Sequence, residues 1–140
     1  MADIIHEVTI DSDMEKIYKA VTEKKGLASW WTQDTKAEVN VGSTSEFGFM
    51  GHQAVFFMKI VELKPFTAVK WKCENGMPEW VGTELSFELK KVESGNMLRF
   101  TQSGFKSTDG GYASVNYTWG QYLASLKKYM ETGTGDPHTA

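Results

Sequence analysis

Residues 111–133 read GYASVNYTWGQYLASLKKYMETG, and their spacing decides the fold. Val115, Trp119, Tyr122, Leu123, Leu126, Tyr129 and Met130 recur at helical intervals, so one apolar stripe runs the length of the segment. Gly133 is the natural stop. About 18 residues at ~1.5 Å each make a helix roughly 27 Å long, enough to cross a whole sheet. Such a stripe needs an apolar surface to lie on, and the preceding sequence supplies one.

Upstream of this segment the period is two. Ser45-Phe47-Phe49, Val69-Trp71-Cys73, Leu85-Phe87-Leu89 and Leu98-Phe100 each place apolar residues in one phase, with polar residues such as Glu84, Ser86 and Glu88 in the other. Ala54–Leu63 is a nearly continuous apolar run of undefined phase. Asn40-Val-Gly42, Lys64-Pro65, Glu74-Asn-Gly76 and Ser94-Gly-Asn96 punctuate these runs as turns. The pattern describes antiparallel hairpins with one buried face.

The N-terminal third opens with a strand, Ile4–Ile10. Ser12 and Glu15 have the spacing of a capping box, followed by the helical stripe Met14, Ile17, Tyr18 and Val21. Thr22 is placed to cap a second short helix ending near Ser29. The order is strand, helix, helix, six strands, helix. It predicts an α+β helix-grip fold: a curved antiparallel β-sheet wrapped around a long C-terminal α-helix, with two short helices after the first strand. Residues 1–133 read as a single domain and residues 134–140 as a flexible tail.

Composition narrows the function. The chain has 140 residues, and 18 acidic against 15 basic side chains leave a formal charge of −3, a balance that disfavours a nucleic-acid partner. One cysteine excludes an intramolecular disulfide framework, and Cys73 reads as a buried structural thiol. His6, His52 and His138 are too dispersed for a local metal pair, and no nucleotide loop or nucleophile elbow occurs, so neither metal nor cofactor is expected. No apolar run has the ~20 residues of a membrane span, and the start MADIIHEV lacks a signal-peptide layout, which together predict a cytoplasmic location. The outlier is the aromatic content, with 5 Trp, 5 Tyr and 8 Phe that must fill a core or line a cavity.

Four motifs appear in order: Gly26-Leu-x-x-Trp30-Trp31, Trp80-x-Gly-Thr-x-Leu-x-Phe-x-Leu89, Leu98-x-Phe-Thr101 with Gly104-Phe105, and Trp119-Gly-x-Tyr-Leu-x-Ser-Leu-Lys127. Together they resemble the SRPBCC (START-like, Bet v-like) superfamily. Within it, the chain is similar to the family of the C-terminal domain of the activator of the heat-shock-protein-90 ATPase. The resemblance spans nearly the whole chain and implies a deep, mostly apolar cavity between sheet and C-terminal helix. Superfamily members bind lipids, polyketides and other hydrophobic molecules, and some are cyclases.

The residues expected to line that cavity are Trp30, Trp31, Phe47, Phe49, Phe56, Met58, Trp71, Trp80, Phe87, Phe100, Gln102, Trp119, Tyr122 and Leu123. Many relatives carry a histidine where this chain has Gln102. That amide does not titrate near neutral pH, which weighs against acid–base catalysis. Gln102 shares the inward phase of Leu98 and Phe100, so it is expected on the cavity wall as a polar anchor.

The leading expectation is a binding protein for a small hydrophobic or aromatic molecule, acting as a monomer or a homodimer. A cyclase/aromatase-type enzyme is the alternative from another class. The resemblance also brings in a chaperone co-factor role and a link to stress responses. A length of 140 residues is not expected to hold the activator's chaperone-docking N-terminal domain as well. ATPase activation is therefore not expected, while a weak chaperone contact stays open as an alternative.

Overall fold

The computed structural model describes residues 1–139. Strand β1 (Ala2–Ile10) leads into two short helices, α1 (Met14–Ala20) and α2 (Lys24–Trp30). Six strands follow: β2 (Asp34–Lys36), β3 (Thr44–Phe49), β4 (Ala54–Lys64), β5 (Ala68–Asn75), β6 (Glu84–Val92) and β7 (Gly95–Phe105). Helix α3 (Tyr112–Thr132) closes the chain. All neighbouring strands pair antiparallel in one curved sheet of order β1-β7-β6-β5-β4-β3-β2. The expected helix-grip fold is the fold observed.

Strand phase carries through to the core. Val69, Trp71 and Cys73 on β5, Leu85, Phe87 and Leu89 on β6, and Leu98 and Phe100 on β7 are all buried. The register aligns Ile4, Gln102, Leu85, Trp71 and Ile60 in one cross-strand row on the inner face. In the apolar run 54–63 the buried phase is Phe56, Met58 and Ile60, which the apolar residues Val55, Phe57 and Val61 on the other phase mask in the sequence. Strand β4 breaks register with β5 between Phe57 and Met58 and again between Ile60 and Glu62. Such irregularities add twist and help curve the sheet. Strand β2 has three residues, too few to show a period.

Helix α3 ends where expected: Gly133 adopts φ 89°, and its N–H donates to the Tyr129 carbonyl at 2.8 Å. That left-handed turn suits glycine. Leu123 and Leu126 face the core, while the Ser125 hydroxyl donates to the Trp30 carbonyl. Trp30 in turn donates its indole N–H to the Ala20 carbonyl at 2.8 Å, joining α3, α2 and α1. Helices α1 and α2 meet at Gly26, where a Cβ would lie 2.4 Å from the Ala20 Cα. Only glycine permits that approach. At the far end of α3, Lys127 donates to the Thr9 carbonyl and pairs with Glu131, which accepts from the Asp11 N–H.

Three local expectations need correction. The N-cap of α1 is Asp13, whose carboxylate accepts from the Lys16 N–H at 2.8 Å, so the capping box at Ser12 does not form. Thr22 does not cap α2. Its hydroxyl donates back to the Tyr18 carbonyl, and Glu23 takes the cap position with no side-chain bond. The third concerns the tail, which bonds back to the body of the fold at Asp136 and His138. The His138 N–H donates to the Trp31 carbonyl at 2.8 Å, and the His138 carbonyl accepts from Gln33 at 2.9 Å. The Asp136 N–H donates to Ser125 Oγ, and its carboxylate pairs with Lys128. Ala140, the last residue of the expected tail, lies outside the described residues.

Candidate functional site

The sheet and α3 do not close evenly along their length. Near the N-terminal half of α3 they leave a cavity of about 410 Å³, a size common among small-molecule sites. Ser114, Val115, Thr118, Trp119 and Tyr122 form its helical wall. These positions recur one turn apart and therefore share one face of the helix. Opposite them stand Phe49, Met50, Ala54 and Phe56 from the β3–β4 hairpin, with Met77 and Trp80 from the β5–β6 connection. Trp31 and His138 complete the lining, which contains no Asp, Glu, Lys or Arg.

Ring packing makes the wall continuous. Trp80 lies 4.3 Å from Phe56 and 6.0 Å from Trp119 between ring centroids, and Trp119 lies 5.2 Å from Trp31. Phe49 contacts Phe56, Tyr122 and His138. Partial burial raises the Tyr122 phenol above its ordinary pKa. The mouth is built from an unusual turn. Met50, Gly51 and His52 all have positive φ, at 53°, 65° and 70°. Two side-chain contacts tie it to the rest of the fold: His52 Nδ1 bonds the Asp34 carboxylate, and the Met50 N–H donates to His138 Nε2 at 3.0 Å. His138 thus binds the mouth through its ring and the body through its backbone.

Of the expected cavity residues, Trp31, Phe49, Phe56, Trp80, Trp119 and Tyr122 do line this space. Trp30, Phe47, Met58, Trp71, Phe87, Phe100 and Leu123 do not; they are buried in the packed core beside it. Gln102 requires an outright correction. It is fully buried and absent from the cavity lining. Its amide N–H donates to Thr83 Oγ1 at 3.0 Å and its carbonyl accepts from Trp119 Nε1 at 2.9 Å, while Thr83 donates onward to the Trp80 carbonyl at 2.6 Å. Gln102 is a core residue that positions two cavity tryptophans from behind.

Met50, Ala54, Met77, Ser114, Val115, Thr118 and His138 were missed. The Ser114–Thr118–Tyr122 spacing along α3 was a usable signal for the helical wall. Nothing local in the tail marks His138, which arrives through a parallel bridge to Thr32. The remaining singled-out residues are accounted for outside the cavity. His6 bonds the Asn116 side chain at 2.8 Å, and Cys73 is buried with its thiol pushed up to about 11, chiefly by desolvation. Among the described residues no cluster of His, Cys, Asp or Glu is arranged to hold a metal, and no helix is long and apolar enough to cross a membrane.

One polar atom is buried behind the wall. Trp80 is 6% exposed, and its indole N–H has no hydrogen-bond partner among the described residues. Leaving a buried donor unpaired costs about 1–3 kcal/mol.

Comparison with known proteins places these features in context. Residues 11–131 match the family described as Activator of Hsp90 ATPase homolog 1-like protein. The solution structure of the Aha1 dimer from Colwellia psychrerythraea is 39% identical, with a TM-score of 0.87, covering 96% of this chain and 100% of that one. Protein SSP2350 from Staphylococcus saprophyticus shares the fold at 18% identity, with a TM-score of 0.81 and 96% of each chain covered. DynU16, a protein in the dynemicin biosynthetic locus, shares it at 18% identity and a TM-score of 0.79, over 95% of this chain and 48% of that one. Among curated proteins none matches.

Proposed function

Because the chain belongs to the Activator of Hsp90 ATPase homolog 1-like family, we propose a role that uses the opening this fold leaves beside its terminal helix. The protein binds a small hydrophobic or aromatic molecule in the cavity between the sheet and α3. The observation that carries this reading is the charge-free aromatic lining. Burying an apolar body there gains roughly 25 cal/mol for each Å² removed from water. An ionised group would enter without a counter-charge, which is costly.

Binding is favoured over ring-closing chemistry because two of the four polar side chains of the wall are already committed. The Thr118 hydroxyl donates to the Ser114 carbonyl, and His138 Nε2 accepts from Met50, which leaves the Ser114 and Tyr122 hydroxyls to meet a ligand. Gln102, the expected polar anchor, is committed to Thr83 and Trp119. A second copy of the chain is proposed as a partner, on the strength of the Colwellia relative described as a dimer.

Titration with the neutral probe N-phenyl-1-naphthylamine tests the binding reading. Trp31, Trp80 and Trp119 at the cavity should pass excitation to the bound probe, giving saturable quenching of tryptophan emission in the micromolar range. Emission unchanged up to the solubility limit of the probe would remove the cavity as a ligand site.

A further inference from the structure

Two of the chain's three histidines tie the turn at residues 50–52 to the rest of the fold, and their chemistry is opposite. His52 Nδ1 bonds the Asp34 carboxylate, a contact that becomes charge-assisted when the ring carries a proton. His138 Nε2 accepts the Met50 N–H at 3.0 Å, which it can do only while that nitrogen is unprotonated. Protonation there sets one N–H against another, and the bond is lost. The rest of the tail does not depend on the ring. The His138 backbone bonds Trp31 and Gln33, and Asp136 bonds Ser125 and Lys128.

The turn held by that ring is strained. Met50 and His52 are non-glycine residues at positive φ, a conformation that persists where surrounding contacts impose it. Both Met50 and His138 line the cavity, so the bond between them spans its mouth. His138 is half-buried and therefore open to solvent protons. Phe49 of β3 and Tyr122 of α3 pack around its ring, with Asp136 nearby in the tail. Asp136 is paired with Lys128 and Asp34 with His52, and neither carboxylate is bonded to the His138 ring.

We propose that His138 is a proton-sensitive latch on the cavity mouth. With the ring neutral, the tail holds the turn at residues 50–52 against the cavity; protonation frees the turn and speeds exchange of the bound molecule. This rests on the reading of the cavity as a ligand site. Imidazole is the side chain that changes charge between about pH 5 and 8. The latch is shut at the upper end of that range and lost as the pH falls through it. The His52–Asp34 pair keeps the turn attached to β2 while the tail lets go.

Stopped-flow release of N-phenyl-1-naphthylamine, a probe that stays uncharged across this range, tests the latch. In the wild-type protein, release should become about fivefold faster between about pH 8 and pH 5, the size of one net hydrogen bond. His138→Gln keeps an acceptor for the Met50 N–H but takes up no proton, so its release should stay slow and flat with pH. His52→Gln should keep the wild-type response. Without any probe, the Met50 amide proton of the wild-type protein should move upfield in step with protonation of the His138 ring, a readout independent of how the variants fold. Release that does not change with pH, an unaltered response in His138→Gln, or a Met50 amide that stays still while His138 titrates would overturn the latch and leave the cavity reading standing. No binding of the probe at any pH would overturn both.

Discussion

The two halves of the grip use the same residue types to opposite ends. Under β5, β6 and β7, Trp71, Phe87 and Phe100 interlock at 5.2–5.3 Å between neighbouring centroids, and the one amide among them is bonded through both its ends. Toward the β3–β4 hairpin, Phe49, Phe56 and Trp80 are equally aromatic but surround space, and Trp80 keeps an unpaired donor. Trp119 belongs to both regions, with a ring at the cavity and an N–H in the core network. Aromatic content therefore does not by itself distinguish a core from a binding site. What distinguishes them is whether volume and polar groups are already used up.

The largest consequence concerns truncation. Leu126 is fully buried on α3, so Leu126→Ala should cost about 2–5 kcal/mol in a denaturant melt. Met50, 63% exposed at the mouth, should tolerate Met50→Ala within about 0.5 kcal/mol. Equal losses at the two sites would erase the difference between the halves.

A smaller effect is expected at Gln102. Gln102→Leu strands the Trp119 N–H and removes the donor to Thr83, so stability should fall by about 1–3 kcal/mol. An unchanged or raised melting temperature would mean that the amide faces a wet cavity after all.

These contrasts also mark how far the sequence could be read. Period-two runs and the α3 stripe reveal which face of each element turns inward, because that depends on local spacing alone. Gln102 was correctly expected to point inward for this reason. Its place in the packed core was not legible, since it depends on Thr83 and Trp119 arriving from other elements. The position of the cavity along the helix was hidden for the same reason. Periodicity assigns Val115, Trp119, Leu123 and Leu126 to one stripe but does not say that the sheet parts from its N-terminal end. The mouth depends on three consecutive positive-φ residues and on a histidine 88 positions away from the backbone it accepts from. Neither leaves a local pattern.

The most direct test follows the indole N–H resonances of the five tryptophans while N-phenyl-1-naphthylamine is added to the wild-type protein. The account predicts saturable shifts for Trp31, Trp80 and Trp119, with Trp30 and Trp71 nearly still. Shifts spread evenly over all five, or confined to Trp30 and Trp71, would contradict it.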